Sequence, residues 1–168
     1  GNSRPASGAE HHLSHFWEMH VINKPTGALH GEQVGVAALM LTRYYHAMRD
    51  YDFMRPVNLA ATFDRSYLEP VYGDLTDGIL RENLTDGEVS SSPLAFVPDA
   101  EKAEKVRAEI DSLISPEALE RLLRLGGAPT TLSELGLPDD EEFIARTLGF
   151  APYVRKRLTL LKVLSAKR

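Results

Sequence analysis

The sequence predicts an all-α protein, a bundle of about six to eight helices, and three observations predict it. Apolar residues recur at helical spacing along most of the chain. Residues that favour helix starts, namely Asp, Ser and Pro, stand immediately ahead of those periodic runs. Strand-like alternation never lasts beyond a few residues, and the Asp77-Gly78 and Asp86-Gly87 pairs have helical or loop flanks rather than β-branched ones. At 168 residues the chain suffices for a single domain with a core, spanning residues 1–168.

Taken in order, Ser7 is the expected N-cap of the first helix, with Glu10 three residues later in capping-box position ahead of HHLSHFWEMHVI. Lys24-Pro25-Thr26-Gly27 breaks that helix. From His30 a long, mostly buried helix is expected through Val34, Leu39, Leu41, Tyr45 and Met48. Its Gly31, Gly35 and Ala37-Ala38 are small enough to let another helix or a ligand approach the backbone closely, since helical propensity alone disfavours the glycines. Two short helices follow, Asp64 to Tyr72 and Leu75 to Leu84, separated by Gly73, and then an exposed polar loop from Thr85 to Ser92. Asp99 caps an amphipathic helix to Ile114, with acid–base pairs on its outer face. Ser115-Pro116 starts another, which runs to Leu125 and closes at Gly126-Gly127. Thr131 to Leu135 reads as a capped turn, Pro138-Asp139-Asp140 begins the next helix, and Pro152 opens a last one rich in Lys and Arg.

Composition removes several functions. A net charge of −5 argues against a nucleic-acid surface, which calls for a basic stripe. No apolar run approaches the ~20 residues that cross a bilayer. Without cysteine there is no disulfide, thiolate metal site or thiol nucleophile, and the usage suits a reducing cytoplasm. The start at Gly1 lacks both an initiator Met and a signal-peptide pattern, and suggests a chain that begins inside a longer one. Neither a Gly-x-Gly-x-x-Gly turn nor a phosphate-binding loop occurs, so no recognisable nucleotide fingerprint is present.

The histidines are concentrated. Of six, His11, His12, His15, His20 and His30 fall in the first 30 residues. His11 and His15 are four apart, which on a helix puts both rings on one face. An antiparallel return of the next helix brings His30 beside His11, and two imidazoles from adjacent helices begin a divalent metal site that a carboxylate completes. A lone His-x-x-x-His pair is more often two solvated side chains, so spacing alone does not decide the matter. His12 and His20 fall on other faces and are read as surface or packing residues. Glu32 cannot converge with His30 from two positions away and is read as a capping or supporting carboxylate. Glu18, a turn below His15, either orients it or pairs with solvent. Phe16, Trp17 and Met19 are read as core.

At these residues the chain resembles a family. The run from Gly1 to Met19, with Ser7-Gly8-Ala9-Glu10-His11 and then His15, is similar to the glycerol-1-phosphate dehydrogenases, especially their bacterial arabinose-operon relatives. Leu29-His30-Gly31-Glu32-Gln33-Val34-Gly35-Val36 resembles the His-Gly-Glu motif shared with glycerol dehydrogenases and 3-dehydroquinate synthases. Tyr153 to Leu161 is similar to the closing helix of the same group. The resemblance spans the chain and is specific in its first 36 residues. The synthases fit less well, since their first motif usually has Gly rather than Glu before the first histidine.

The resemblance implies an α domain like that of the dehydroquinate synthase group, with an N-terminal NAD- or NADP-binding α/β domain outside this chain. It implies His11 and His30 as ligands of Zn²⁺ or Ni²⁺, and His15 as the catalytic histidine that touches substrate. The third ligand of the family, an Asp, has no match here. The implied reaction interconverts dihydroxyacetone phosphate and glycerol 1-phosphate in a cytoplasmic, homo-oligomeric enzyme, and the isolated chain is expected to be inactive. A glycerol dehydrogenase of the same group, or a non-catalytic helical interaction module, is the alternative.

Overall fold

A computed structural model describes residues 9–19, 27–55, 64–85, 88–89 and 99–154, together with Leu161 and Leu164. Seven α-helices lie among them: α1 (Ala9–Glu18), α2 (His30–Ala47), α3 (Arg65–Tyr72), α4 (Thr76–Asn83), α5 (Ala100–Ser112), α6 (Pro116–Leu125) and α7 (Glu141–Phe150). Short 3₁₀ turns occupy Gly73–Leu75, Ser133–Leu135 and Ala151–Val154.

The helix starts follow from side chains that satisfy otherwise orphaned N–H groups. Asp64 accepts from the Ser66 amide at 3.3 Å, Asp99 from Lys102 at 2.7 Å, Ser115 from Ala118 at 3.2 Å and Asp140 from Phe143 at 2.7 Å. Pro116 occupies the first position of α6, where its missing N–H costs nothing. That helix closes at Gly127, whose φ of 73° suits glycine, with the Ala128 amide bonded to the Leu123 carbonyl at 2.9 Å. The Thr131 hydroxyl oxygen accepts from the Glu134 amide at 3.2 Å, so the expected turn there is indeed capped.

Three expectations need correction. A two-stranded antiparallel ladder is present, β1 (Leu84–Thr85) with β2 (Glu88–Val89), pairing Leu84 with Val89 and Thr85 with Glu88. Two residue pairs are too few to leave a period-2 pattern, and only Asp86-Gly87, a dipeptide favoured in two-residue hairpin loops, signals it. The first helix ends at Glu18, with Met19 already outside it, and the rest of the expected run to Ile22 lies outside the described residues. The segment opened by Pro152 starts as a 3₁₀ turn at Ala151–Val154. Ser7, His20 and Lys24 to Thr26 lie outside the described residues, as does most of the basic tail.

The core gathers around α1. Leu13 and Phe16 are fully buried and Trp17 nearly so, in one cluster with Leu41 and Tyr45 of α2, Leu68 and Tyr72 of α3, Ile110 of α5 and Tyr153. Phe16 meets Tyr72 edge-on with ring centroids 5.9 Å apart, a favoured aromatic geometry. Polar groups inside this core are tied across long sequence distances. The Trp17 indole N–H donates to the Thr147 hydroxyl at 3.0 Å, and the Tyr72 hydroxyl donates to the Phe150 carbonyl. The buried Asn83 amide donates to the carbonyls of Ile79 and Tyr153, each at 2.9 Å. These links fasten α1 and α3 to α7, and α4 to the Ala151–Val154 turn that follows α7.

The small residues of α2 serve helix approach. A methyl group at Gly35 would stand 3.3 Å from Cδ2 of Leu123, so the missing side chain lets α6 lie close. At Gly31 no atom of the described residues comes within 4 Å of that position.

Candidate metal and substrate site

The site is built where the exposed end of α1 meets the first turn of α2. Because α1 advances 3.6 residues per turn, His11 and His15 share a face, while Leu13, Phe16 and Trp17 point into the core. His30 is the first residue of α2 and returns antiparallel to them. The ring centroids of His11 and His30 are 5.9 Å apart, and those of His15 and His30 are 6.3 Å apart. His11 and His30 are exposed and His15 is half-buried. The three imidazoles singled out in the sequence therefore stand together in space.

Carboxylates and hydroxyls hold this cluster. Glu18 lies between two of the rings, with Oε1 3.2 Å from Nδ1 of His30 and Oε2 3.9 Å from Nδ1 of His15. It is therefore nearer to His30 than to the residue one turn above it. Glu32 accepts the Leu29 amide at 3.0 Å, so it is a capping carboxylate. His12 is 6% exposed and packs into the interior.

Ser14 and Gln33 did not stand out in the sequence. The Ser14 hydroxyl is fully buried, lies 3.3 Å from Nδ1 of His30 and donates to Oε1 of Gln33 at 3.1 Å. The available signal was their spacing. Ser14 follows His11 by three residues and Gln33 follows His30 by three, so each places a polar group one turn on, toward the facing helix.

Two imidazoles that share a tetrahedral ion, with metal–nitrogen bonds of ~2.1 Å, set their ring centroids roughly 5–6 Å apart. The His11–His30 separation of 5.9 Å fits this, so the two side chains suit part of a divalent ion's donor set. Among the described residues no group of three or more His, Asp or Glu side chains is arranged to hold an ion. The donor chemistry of this pair is borderline nitrogen, which divalent transition metals accept. No helix among the described residues is long and apolar enough to cross a membrane.

Comparison with known proteins gives matches along nearly the whole chain. The chain is 31% identical over 166 residues to a protein of Halalkalibacterium halodurans named glycerol-1-phosphate dehydrogenase [NAD(P)+], covering 98% of this chain and 33% of that one. It is 29% identical over 165 residues to the protein of the same name from Bacillus licheniformis, covering 98% and 30%. A shorter stretch of 47 residues, 28% of this chain and 12% of the relative, is 55% identical to the protein of that name from Halorubrum lacusprofundi. The chain thus spans about a third of the length of the full-span curated relatives it matches. No family model and no solved structure matches.

Proposed function

We propose that these 168 residues form the helical metal- and substrate-holding portion of an NAD(P)-dependent glycerol-1-phosphate dehydrogenase. His11 and His30 would hold Zn²⁺ or Ni²⁺, and His15 would contact substrate. The observation that carries this reading is the convergence of three imidazoles at the junction of α1 and α2, with centroids 5.9 and 6.3 Å apart. Similarity to relatives of that printed name over 98% of the chain supports it. In this reading, a third ligand and the dinucleotide are supplied by protein outside these residues.

A divalent ion bound here would act as a Lewis acid, polarising the C2 carbonyl of dihydroxyacetone phosphate and stabilising the alkoxide that hydride transfer from the nicotinamide leaves. The residues of the chain do the rest. His15, half-buried on the shared face, stands where a substrate oxygen beside the imidazole pair would meet it. Imidazole exchanges protons near neutral pH, so this side chain would hold that oxygen and supply its proton. Among the described residues nothing crowds Gly31 in the first turn of α2, which supports room for substrate beside the pair. Lack of cysteine accords with a reducing cytoplasm. Association between copies is supported by Leu122 and Leu125, 58% and 85% exposed on α6. A monomer by light scattering would remove that part.

The deciding experiment extends the chain to the length of its relatives and follows NADH-dependent reduction of dihydroxyacetone phosphate. Turnover is expected, with a stoichiometric metal ion lost on His11→Ala and a fall in kcat on His15→Ala. Greater activity on glycerol than on glycerol 1-phosphate would assign a glycerol dehydrogenase instead. A protein that holds no metal and turns over neither substrate would leave a helical interaction module. The 168-residue chain by itself is expected to be inactive, and turnover by it would overturn the division of labour proposed here.

A further inference from the structure

We propose that Ser14, Gln33 and Glu18 are positioning residues that fix neutral His30 in its Nδ1–H tautomer, so that Nε2 carries the only lone pair of the ring. The ligand role of His30 comes from the reading above, but the tautomer is a property of the chain itself.

The argument counts protons. Among the described residues Nδ1 of His30 has two oxygen neighbours, Oγ of Ser14 at 3.3 Å and Oε1 of Glu18 at 3.2 Å. An ionised carboxylate only accepts, so Glu18 requires a proton on Nδ1. A serine hydroxyl has one proton, and that of Ser14 is given to Oε1 of Gln33 at 3.1 Å. Ser14 is therefore also confined to accepting from His30. A neutral imidazole has a single N–H, and with both neighbours accepting at Nδ1 it must lie there. Burial enforces the arrangement, because Ser14 is fully buried and Gln33 is 7% exposed, so neither can exchange its partner for water at low cost. The result opposes the intrinsic preference of imidazole in water, which favours the Nε2–H form. A carboxylate or hydroxyl on the second nitrogen is the usual device for aiming a metal-ligating histidine and raising its basicity.

The test reads the tautomer directly in the metal-free, full 168-residue chain. Long-range ¹H–¹⁵N spectra, recorded about two units above the ordinary imidazole pKa, are expected to show His30 protonated at Nδ1. Glu18→Gln combined with Ser14→Ala removes both obligate acceptors and is expected to move His30 toward Nε2–H. Glu18→Gln alone changes an exposed side chain, so the fold is retained, and it is expected to weaken Zn²⁺ binding by about 10- to 100-fold. Glu18→Asp, which keeps a carboxylate, is expected to recover part of that loss. An Nε2–H tautomer in the unaltered chain, with the Gln33 amide donating and Ser14 passing its proton to His30, overturns the proposal whatever the metal data show. An Nδ1–H tautomer here, together with no Zn²⁺ binding by a chain extended to the length of its relatives, supports the positioning network and counts instead against His30 as a ligand.

Discussion

Replacement of Asn83 by Leu tests how the site-bearing helix is fastened. Asn83 is fully buried, and its amide bridges the Ile79 and Tyr153 carbonyls at 2.9 Å each. The two bonds differ in weight. Ile79 is four residues back on α4 and its carbonyl already receives the helical N–H of residue 83, so losing the side-chain donor there costs only a few tenths of a kcal/mol. Tyr153 lies 70 residues away in the buried turn that packs on α1, and a buried carbonyl deprived of a donor costs about 1–3 kcal/mol. Leu has as many side-chain heavy atoms as Asn but is bulkier, so the apolar burial it regains is offset by crowding and the net expectation is a loss of about 1–2 kcal/mol. For a domain of this size that lowers Tm by roughly 2–8 °C, measurable by calorimetry. Asn83→Asp sharpens the test. Its carboxylate would face two carbonyl oxygens, so its folded pKa is raised above the unfolded value. Stability is then retained below the unfolded carboxyl pKa and lost as pH rises through the folded one. An Asn83→Leu protein within about 0.5 kcal/mol of the parent, or an Asn83→Asp protein that gains stability between acid and neutral pH, would refute the bridging role.

Leu13→Ala, at a fully buried position on α1, is expected to cost about 2–5 kcal/mol in urea unfolding through the cavity it leaves. Gly78→Ala adds a methyl inside α4 where no atom lies within 4 Å, and should stabilise by about 0.5–1 kcal/mol by the same assay. Arg49 pairs with both oxygens of Asp111, at 2.6 and 3.0 Å, and holds that carboxyl below its usual pKa. The contribution of this exposed pair is present above the ordinary Asp value and lost as pH falls through the depressed one. Urea midpoints of Arg49→Gln should therefore approach those of the parent as pH is lowered into that range, and a gap that widens there would contradict the assignment.

Much of the architecture was legible because local chemistry dictates it. Asp99, Ser115 and Asp140 announce helix starts through side-chain acceptors that serve the next turn, and Gly126-Gly127 announces a stop. The pairing of His11 with His15 follows from helical period alone, whereas the arrival of His30 depends on the direction in which α2 returns, which periodicity does not encode. The short connection between the two helices suggested that direction, and the resemblance to a known family then assigned His11 and His30 their ligand roles. The Leu84–Thr85 ladder was missed because two residues carry no period. Ser14 and Gln33 were missed for another reason. A Ser or Gln on a helix reads as solvated until the partner helix is known, and only the packing of α1 on α2 makes the pair buried and mutually bonded.

The hydrogen bond from Trp17 to Thr147 joins residues 130 positions apart. A chain made from its N-terminus must expose the whole histidine cluster to solvent long before α7 leaves the ribosome. The helix that carries His11 and His15 therefore waits, through most of synthesis, for the surface that will lock it. The Trp17–Thr147 link that fastens this helix needs loop closure across most of the chain, a slower process than the quick winding of the helix's own turns.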